Sequence, residues 1–111
     1  MTTDFTDVTV IMPAYRAAST IERALSSIAA QTLKPRVVVV VDDGSEDSTL
    51  DAAEACRPEL NGIELKLLRQ ENAGPGAARN RALAEATTEY VAFLDADDEW
   101  LPAKLERSLP Y

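Results

Sequence analysis

Histidine is absent from this sequence, and cysteine occurs once, as Cys56. A lone cysteine closes no intramolecular disulfide. Without an imidazole and with one thiol, a structural zinc site has no ligand set. Cys56 ends the apolar-patterned stretch Ala52–Cys56 and reads as a small packing residue. Positive charge is scarce too: 11 Lys and Arg stand against 19 Asp and Glu, a formal net charge of −8. Such a chain is poorly suited to duplex nucleic acid, where neutralising phosphate supplies much of the affinity. As a set, the surface carboxylates read as solubilising charge. No apolar run approaches the roughly 20 residues needed to span a bilayer. The start, Met1–Asp7, is polar and acidic, with neither a basic n-region nor an apolar h-region, so it does not read as a signal peptide. The expected compartment is the cytoplasm, with membrane association left open to parts not in this chain.

What is present fits a single domain. A chain of 111 residues buries roughly 60–70 % of the surface its unfolded form exposes, enough for one modest core. The apolar share of 46 % and charged share of 27 % are ordinary for a globular protein, which argues against disorder.

Four short apolar runs stand out: Val8–Met12, Val37–Val41, Ile63–Leu68 and Tyr90–Leu94. Val and Ile dominate the first two, as strands prefer. The first, second and fourth are nearly continuous in apolar character, which predicts strands covered on both faces of a parallel sheet. Ile63-Glu64-Leu65-Lys66-Leu67 alternates, which predicts a half-exposed strand at an edge. Helical patterns fill the gaps. Ser19-Thr20-Ile21-Glu22 has the form of a capping box, followed by Ile21, Ala24, Leu25 and Ile28 on one face. Ser48-Thr49-Leu50-Asp51 opens a second helix to about Cys56, with Pro58 and Asn61-Gly62 marking its exit. Gly76–Ala86 reads as a third helix, and Pro102 as the start of a fourth ending near Leu109. Strands alternating with helices imply right-handed βαβ units and an α/β fold with a mostly parallel sheet.

In such sheets ligands bind beyond the carboxyl ends of the strands. Each run is followed there by unusual polar residues. Asp42-Asp43-Gly44-Ser45 follows five valines; it suits a turn and helix cap, or a carboxylate at Asp43 that anchors a base or ribose. Asp95-Ala96-Asp97-Asp98 leaves the fourth run. It reads either as an exposed acidic loop capping the next helix or as a site for Mg²⁺ or Mn²⁺. Crowded like charges favour a cation between them, and both ions prefer oxygen ligands. Pro13-Ala14-Tyr15 sets a rigid turn and a ring, either flanking a base or lying as a core-edge tyrosine with a wet hydroxyl. Gly74-Pro75-Gly76 before a helix permits close backbone approach, and a helix N-terminus favours anions. Arg79 reaches either a ribose or phosphate, or a surface carboxylate. Trp100 reads as packing at the sheet's end, with sugar stacking as the alternative.

Taken in order, these motifs resemble glycosyltransferase family 2, the inverting family with the GT-A fold. The segments that carry the likeness are Val8–Tyr15, Ser26–Thr32, Val39–Ser45, Gln70–Gly74, Ala78–Asn80 and Tyr90–Asp98. The resemblance runs from about residue 8 to 107, and its specificity lies in order and spacing. It implies a Rossmann-like, three-layer sandwich, truncated, in which residues 1–111 form the nucleotide-sugar-binding half. By position, Pro13 and Tyr15 match residues lining the nucleotide pocket, and Asp43 matches the carboxylate that contacts the base. Asp95 and Asp97 match the D-x-D pair, the first facing the nucleotide and the second binding Mn²⁺ or Mg²⁺. Arg79 matches a basic position near the nucleotide.

The implied partners are a nucleotide-diphosphate sugar donor and a glycan, lipid or other hydroxyl acceptor, with no nucleic acid. Two departures stand out. Arg16 occupies a position where the family usually has Asn. No residue matches the family's carboxylate general base, which is expected beyond Tyr111 with the acceptor-binding half. A truncated sheet exposing an apolar patch makes a homodimer a further expectation. Two rivals to a transferase are a non-catalytic nucleotide-sugar-binding fragment and a sugar nucleotidyltransferase. The latter needs a Gly-rich loop after the first strand to hold triphosphate. Pro13–Ser19 contains no glycine.

Overall fold

The structure is a computed structural model and describes residues 5–108. The elements run β1 (Phe5–Ala14), α1 (Ile21–Ala29), β2 (Lys34–Asp42), α2 (Thr49–Ala55), a 3₁₀ turn (Arg57–Leu60), β3 (Glu64–Arg69), α3 (Pro75–Leu83), β4 (Tyr90–Phe93) and α4 (Lys104–Ser108). The strands form one parallel sheet in the order β3-β2-β1-β4. This is the α/β, Rossmann-like arrangement expected from the alternation of elements. The chain steps outward from β1 through β2 to β3, then returns to the other side of β1 for β4. The β1–β4 boundary is therefore the switch point, where open α/β sheets form their ligand crevice.

Alternation along the strands divides the core between two faces. Val10 and Met12 of β1 and Val38 and Val40 of β2 pack with Ile21, Leu25 and Ile28 of α1 and Ala53 of α2. On the opposite face Ile11, Val39 and Val41 pack under Ala78 and Ala82 of α3. Small residues on α3 let its backbone lie close to the sheet. Cys56 is a free, buried thiol in the first of these clusters, as its apolar setting implied. Trp100 packs against the same cluster, in line with the packing reading.

β3 is an edge strand with exposed ends and a buried Leu65, as its alternation predicted. The expectation for the fourth strand was wrong. β4 is the other edge, and Val91 and Phe93 are 41 % and 50 % exposed. They share the α3 face of the sheet with Thr9 and Ile11, but α3 contacts β1 and β2 and leaves β4 uncovered.

Helix boundaries also differ from the sequence pattern. The N-cap of α1 is Thr20, not Ser19, and no side chain caps that helix. The Thr20 hydroxyl is drawn to a distant partner, the Ala96 carbonyl at 2.9 Å. Ser48 caps α2 without a side-chain bond. Asp47 takes that role, accepting the Thr49 N–H at 3.1 Å and the Thr49 hydroxyl. α3 starts one residue earlier than expected, with Pro75 in its first turn, where the missing N–H costs nothing. α4 starts at Lys104 after a turn through Pro102; its expected end near Leu109 lies outside the described residues. Among the described residues no helix is long and apolar enough to cross a membrane.

Candidate functional site

A cleft of about 620 Å³ opens at the carboxyl end of the sheet, across the switch point. Pro13, Tyr15, Asp43, Arg79, Asp95 and Asp97 all line it, together with Thr20, Asn72 and Gly74. Residues separated by more than eighty positions in the chain therefore meet on one rim.

The floor is built by interlocking the segments that follow β1 and β2. The Asp43 N–H donates to the Ala14 carbonyl at 2.8 Å, continuing the β1–β2 ladder by one bond. The Ser45 hydroxyl accepts the Arg16 N–H at 2.7 Å and donates to Asp42 Oδ1. The Thr49 hydroxyl accepts the Ala17 N–H at 3.0 Å. Asp42 is fully buried, and its second oxygen takes Arg69 at 3.2 Å, while Arg69 also donates to the Ser45 carbonyl at 2.8 Å. The first Asp of the pair is thus a structural anchor, and the second faces the cleft.

Asp43 is 4 % exposed. Its Oδ1 accepts the Gln70 amide at 2.9 Å and the Ala73 N–H at 2.9 Å, and its Oδ2 accepts the Gly74 N–H at 2.9 Å. The Gln70 hydrogen bond, with those from Ala73 and Gly74 and against the effect of burial, holds this carboxyl below the usual range. An ionised carboxylate offers about four acceptor positions, so about one remains for a ligand. Asn72 donates to the Asp43 carbonyl at 3.1 Å, which fixes the rim between β3 and α3.

Tyr15 is exposed at the mouth, with the Arg16 guanidinium 4.9 Å from its ring centroid. Arg16 has a φ of 51°, the left-handed region that Asn tolerates better than Arg. The departure from Asn therefore falls where the backbone discriminates between the two.

Opposite Asp43, one oxygen from each of Asp95, Asp97 and Asp98 lies within 4.8 Å of the others. This is an all-oxygen donor set of the kind hard divalent cations select. Oxygens on opposite sides of one Mg²⁺ stand roughly 4.2 Å apart. Rotation of the exposed Asp97 and Asp98 side chains closes that difference, so the residues fit such an ion. Arg79 pairs with Asp95 at 3.7 Å, a carboxylate that itself lines the cleft. Asp98, Thr20, Gln70 and Asn72 were not singled out from the sequence. Asp98 was legible as the third carboxylate of its run; Thr20 was read only as part of a capping box, and Gln70 and Asn72 only as part of the segment Gln70–Gly74, because their roles come from tertiary contacts.

A family model described as Glycosyl transferase family 2 matches residues 9–111. The Escherichia coli UDP-Glc:alpha-D-GlcNAc-diphosphoundecaprenol beta-1,3-glucosyltransferase WfgD is 40 % identical over 103 residues, covering 92 % of this chain and 39 % of that protein. Among solved structures, S. aureus TarS 1-349 in complex with UDP superposes with a TM-score of 0.82 at 39 % identity, over 93 % of this chain and 31 % of that one. The mannosyltransferase PcManGT from Pyrobaculum calidifontis, in complex with GDP-Man and Mn²⁺, gives a TM-score of 0.76 at 38 % identity, over 85 % of this chain and 28 % of that one. The chain thus spans well under half the length of these relatives. Its fold is the GT-A type that TarS displays.

Proposed function

The chain belongs to glycosyl transferase family 2, and from that premise we propose that it is the donor-binding part of an inverting glycosyltransferase, holding a nucleotide-diphosphate sugar through Mn²⁺ or Mg²⁺. The observation that carries this reading is the meeting of Tyr15, the buried Asp43 carboxylate and the acidic pair Asp95 and Asp97 in one cleft. Relatives of this fold in complex with UDP, and with GDP-Man and Mn²⁺, support it.

Each residue takes a part that its geometry suits. Pro13 and Tyr15 flank the base at the end of β1. The remaining acceptor position of Asp43 takes an N–H of the base or a ribose hydroxyl. Arg79 reaches ribose or phosphate from α3 and steadies Asp95, which faces the nucleotide. Asp97 is the metal ligand, with Asp98 as an additional oxygen. When bound there, a divalent cation supplies a Lewis acid for the charge that develops on the departing nucleoside diphosphate.

Residues 1–111 are assigned to a single domain. Transfer to a glycan, lipid or other hydroxyl acceptor, with the general base it requires, is assigned to the whole protein. For this chain alone we expect donor binding without transfer. Homodimer formation rests on one observation, the exposed apolar strip of Val91, Phe93 and Leu101, and is checked by sedimentation.

A thermal-shift panel of UDP and GDP, each with and without Mn²⁺, tests the reading. A ligand at 100 times its Kd stabilises the folded state by about 2.7 kcal/mol, a shift of several degrees for a domain this size. The shift should require nucleotide and Mn²⁺ together. Equal shifts without the metal, or none with either nucleotide, would contradict it.

A further inference from the structure

The acidic loop is held from below by α1 and the residues at its two ends. Thr20 is the N-cap of α1, Ser27 lies within the helix, and Gln31 follows its C-cap Ala30. The Thr20 hydroxyl donates to the carbonyl of Ala96, the residue between Asp95 and Asp97, at 2.9 Å. The Ser27 hydroxyl accepts the Trp100 N–H at 3.0 Å. Gln31 is 2 % exposed, and both N–H donors and the oxygen of its amide are engaged. It donates to the Leu101 carbonyl at 2.7 Å and the Ser27 carbonyl at 3.1 Å, and accepts the Leu105 N–H at 3.0 Å.

The loop does little of this for itself. Between Leu94 and Lys104 its own backbone bonds are Asp98 N–H to Asp95 carbonyl at 3.0 Å and Lys104 N–H to Leu101 carbonyl at 3.1 Å. Buried backbone groups need partners, and here the partners are side chains of a different element. The peptide linking Asp95 to Asp97 is pinned between the Thr20 hydroxyl on one side and the Pro13 carbonyl on the other, which accepts the Ala96 N–H at 3.4 Å.

We propose that Thr20 and Gln31 are positioning residues for the acidic loop, setting where Asp95 and Asp97 stand through the Ala96, Leu101 and Leu105 backbone. Its consequence for metal affinity rests on the reading of that loop as a cation site; the clamp itself does not. Groups that orient metal ligands typically contribute 10–100-fold to metal affinity.

Thr20→Val keeps the side-chain shape and removes the donor; Thr20→Ser restores the donor; Gln31→Met empties the second clamp. Amide hydrogen exchange over Ala96–Leu105 and acrylamide quenching of Trp100, the one tryptophan of the sequence, read the loop without metal. Calorimetric Mn²⁺ titration reads the site. Thr20→Val should raise exchange at Ala96–Trp100 by at least about 10-fold and weaken Mn²⁺ binding by roughly 10-fold. Thr20→Ser should recover both. Gln31→Met should loosen Leu101–Leu105 and increase quenching. If Gln31→Met does not fold, the half-exposed Thr20 position carries the test. Wild-type exchange and Mn²⁺ affinity in Thr20→Val, or a Thr20→Ser variant no better than Thr20→Val, would overturn the proposal. If the wild-type chain binds no Mn²⁺, the cation reading fails by itself, and the exchange pattern still decides the clamp.

Discussion

Gly74 and Asp43 lie 31 positions apart, and the Gly74 N–H donates to the Asp43 carboxylate at 2.9 Å. The Ala73 N–H donates to the same carboxylate at 2.9 Å, and Gly74, with a φ of 98°, turns the chain into α3 directly after these two amides. Sequence chemistry and site geometry meet at this contact. Two amides hold the anion, and a residue without a Cβ permits the turn into α3 that follows them.

The pH dependence of stability follows from that anion. Asp43 is held below the ordinary carboxyl value of about 3.9, chiefly by Gln70. A lowered folded-state pKa stabilises the protein above the ordinary value, and the stabilisation is lost as pH falls from about 4 through the lowered one. Asp43→Asn should therefore melt below wild type at pH 7, and the gap should close in acid. Melting curves from pH 7 to 3 check this. A gap independent of pH would show that the charge of Asp43 does not matter to the fold.

Two glycines, Gly74 in the cleft lining and Gly44 next to Asp43, separate conformational from steric cost. Gly44 and Gly74 both have positive φ, and Gly74, with a ψ of 162°, lies in a region essentially reserved for glycine, so alanine is strained at either by about 1–3 kcal/mol. At Gly74 an added methyl meets nothing within 4 Å, whereas at Gly44 it would stand 2.9 Å from the Asn72 backbone nitrogen. Both alanine variants should lose stability in urea, but only Gly44→Ala should displace Asn72 from the rim, read from its amide chemical shift. An unmoved Asn72 in Gly44→Ala would refute the close approach.

Arg16 offers the opposite sign. Its left-handed backbone suits Asn, and its contacts, to Tyr15 and to Glu46 at 3.3 Å, are exposed and contribute little. Arg16→Asn should stabilise the domain by about 0.5–1 kcal/mol. Denaturant midpoints measure it, and a loss of stability would mean that the Arg16 contacts outweigh the strain.

Asp42 is buried and Arg69 is half exposed. Removing the guanidinium leaves Asp42 with Ser45 as its partner. Because Arg69 is solvated, the cost of Arg69→Met should be about 1.5–3 kcal/mol, the range for hydrogen bonds to charged groups, rather than that of a fully buried pair. Arg69→Met/Asp42→Asn should recover part of it. No loss in Arg69→Met would assign the anchoring of Asp42 to Ser45 alone.

Much of this site was legible in the sequence, for physical reasons. β1 and β2 are buried on both faces, so their sequences are near-continuous Val and Ile, and the polar residues that end them are conspicuous. Asp43, Asp95 and Asp97 announced themselves as carboxylates abutting apolar strands. β4 misled because Val91 and Phe93 look like core residues, yet the helix before them covers other strands. The cap of α1 misled because the Thr20 hydroxyl serves a carbonyl 76 positions away. A side chain bonded to a distant group leaves no spacing to read, so Gln31 and Gln70 entered only as members of motif segments, without a role.

The most direct measurement is calorimetric titration of UDP and GDP into the wild-type chain and into Asp97→Ala, each with and without Mn²⁺. At least one nucleotide should bind the wild type with Mn²⁺. Binding should weaken when the metal is removed, and Asp97→Ala should abolish the Mn²⁺ dependence while its melting temperature stays near wild type. Mn²⁺-dependent binding of equal affinity in Asp97→Ala would contradict the role of Asp97 as metal ligand.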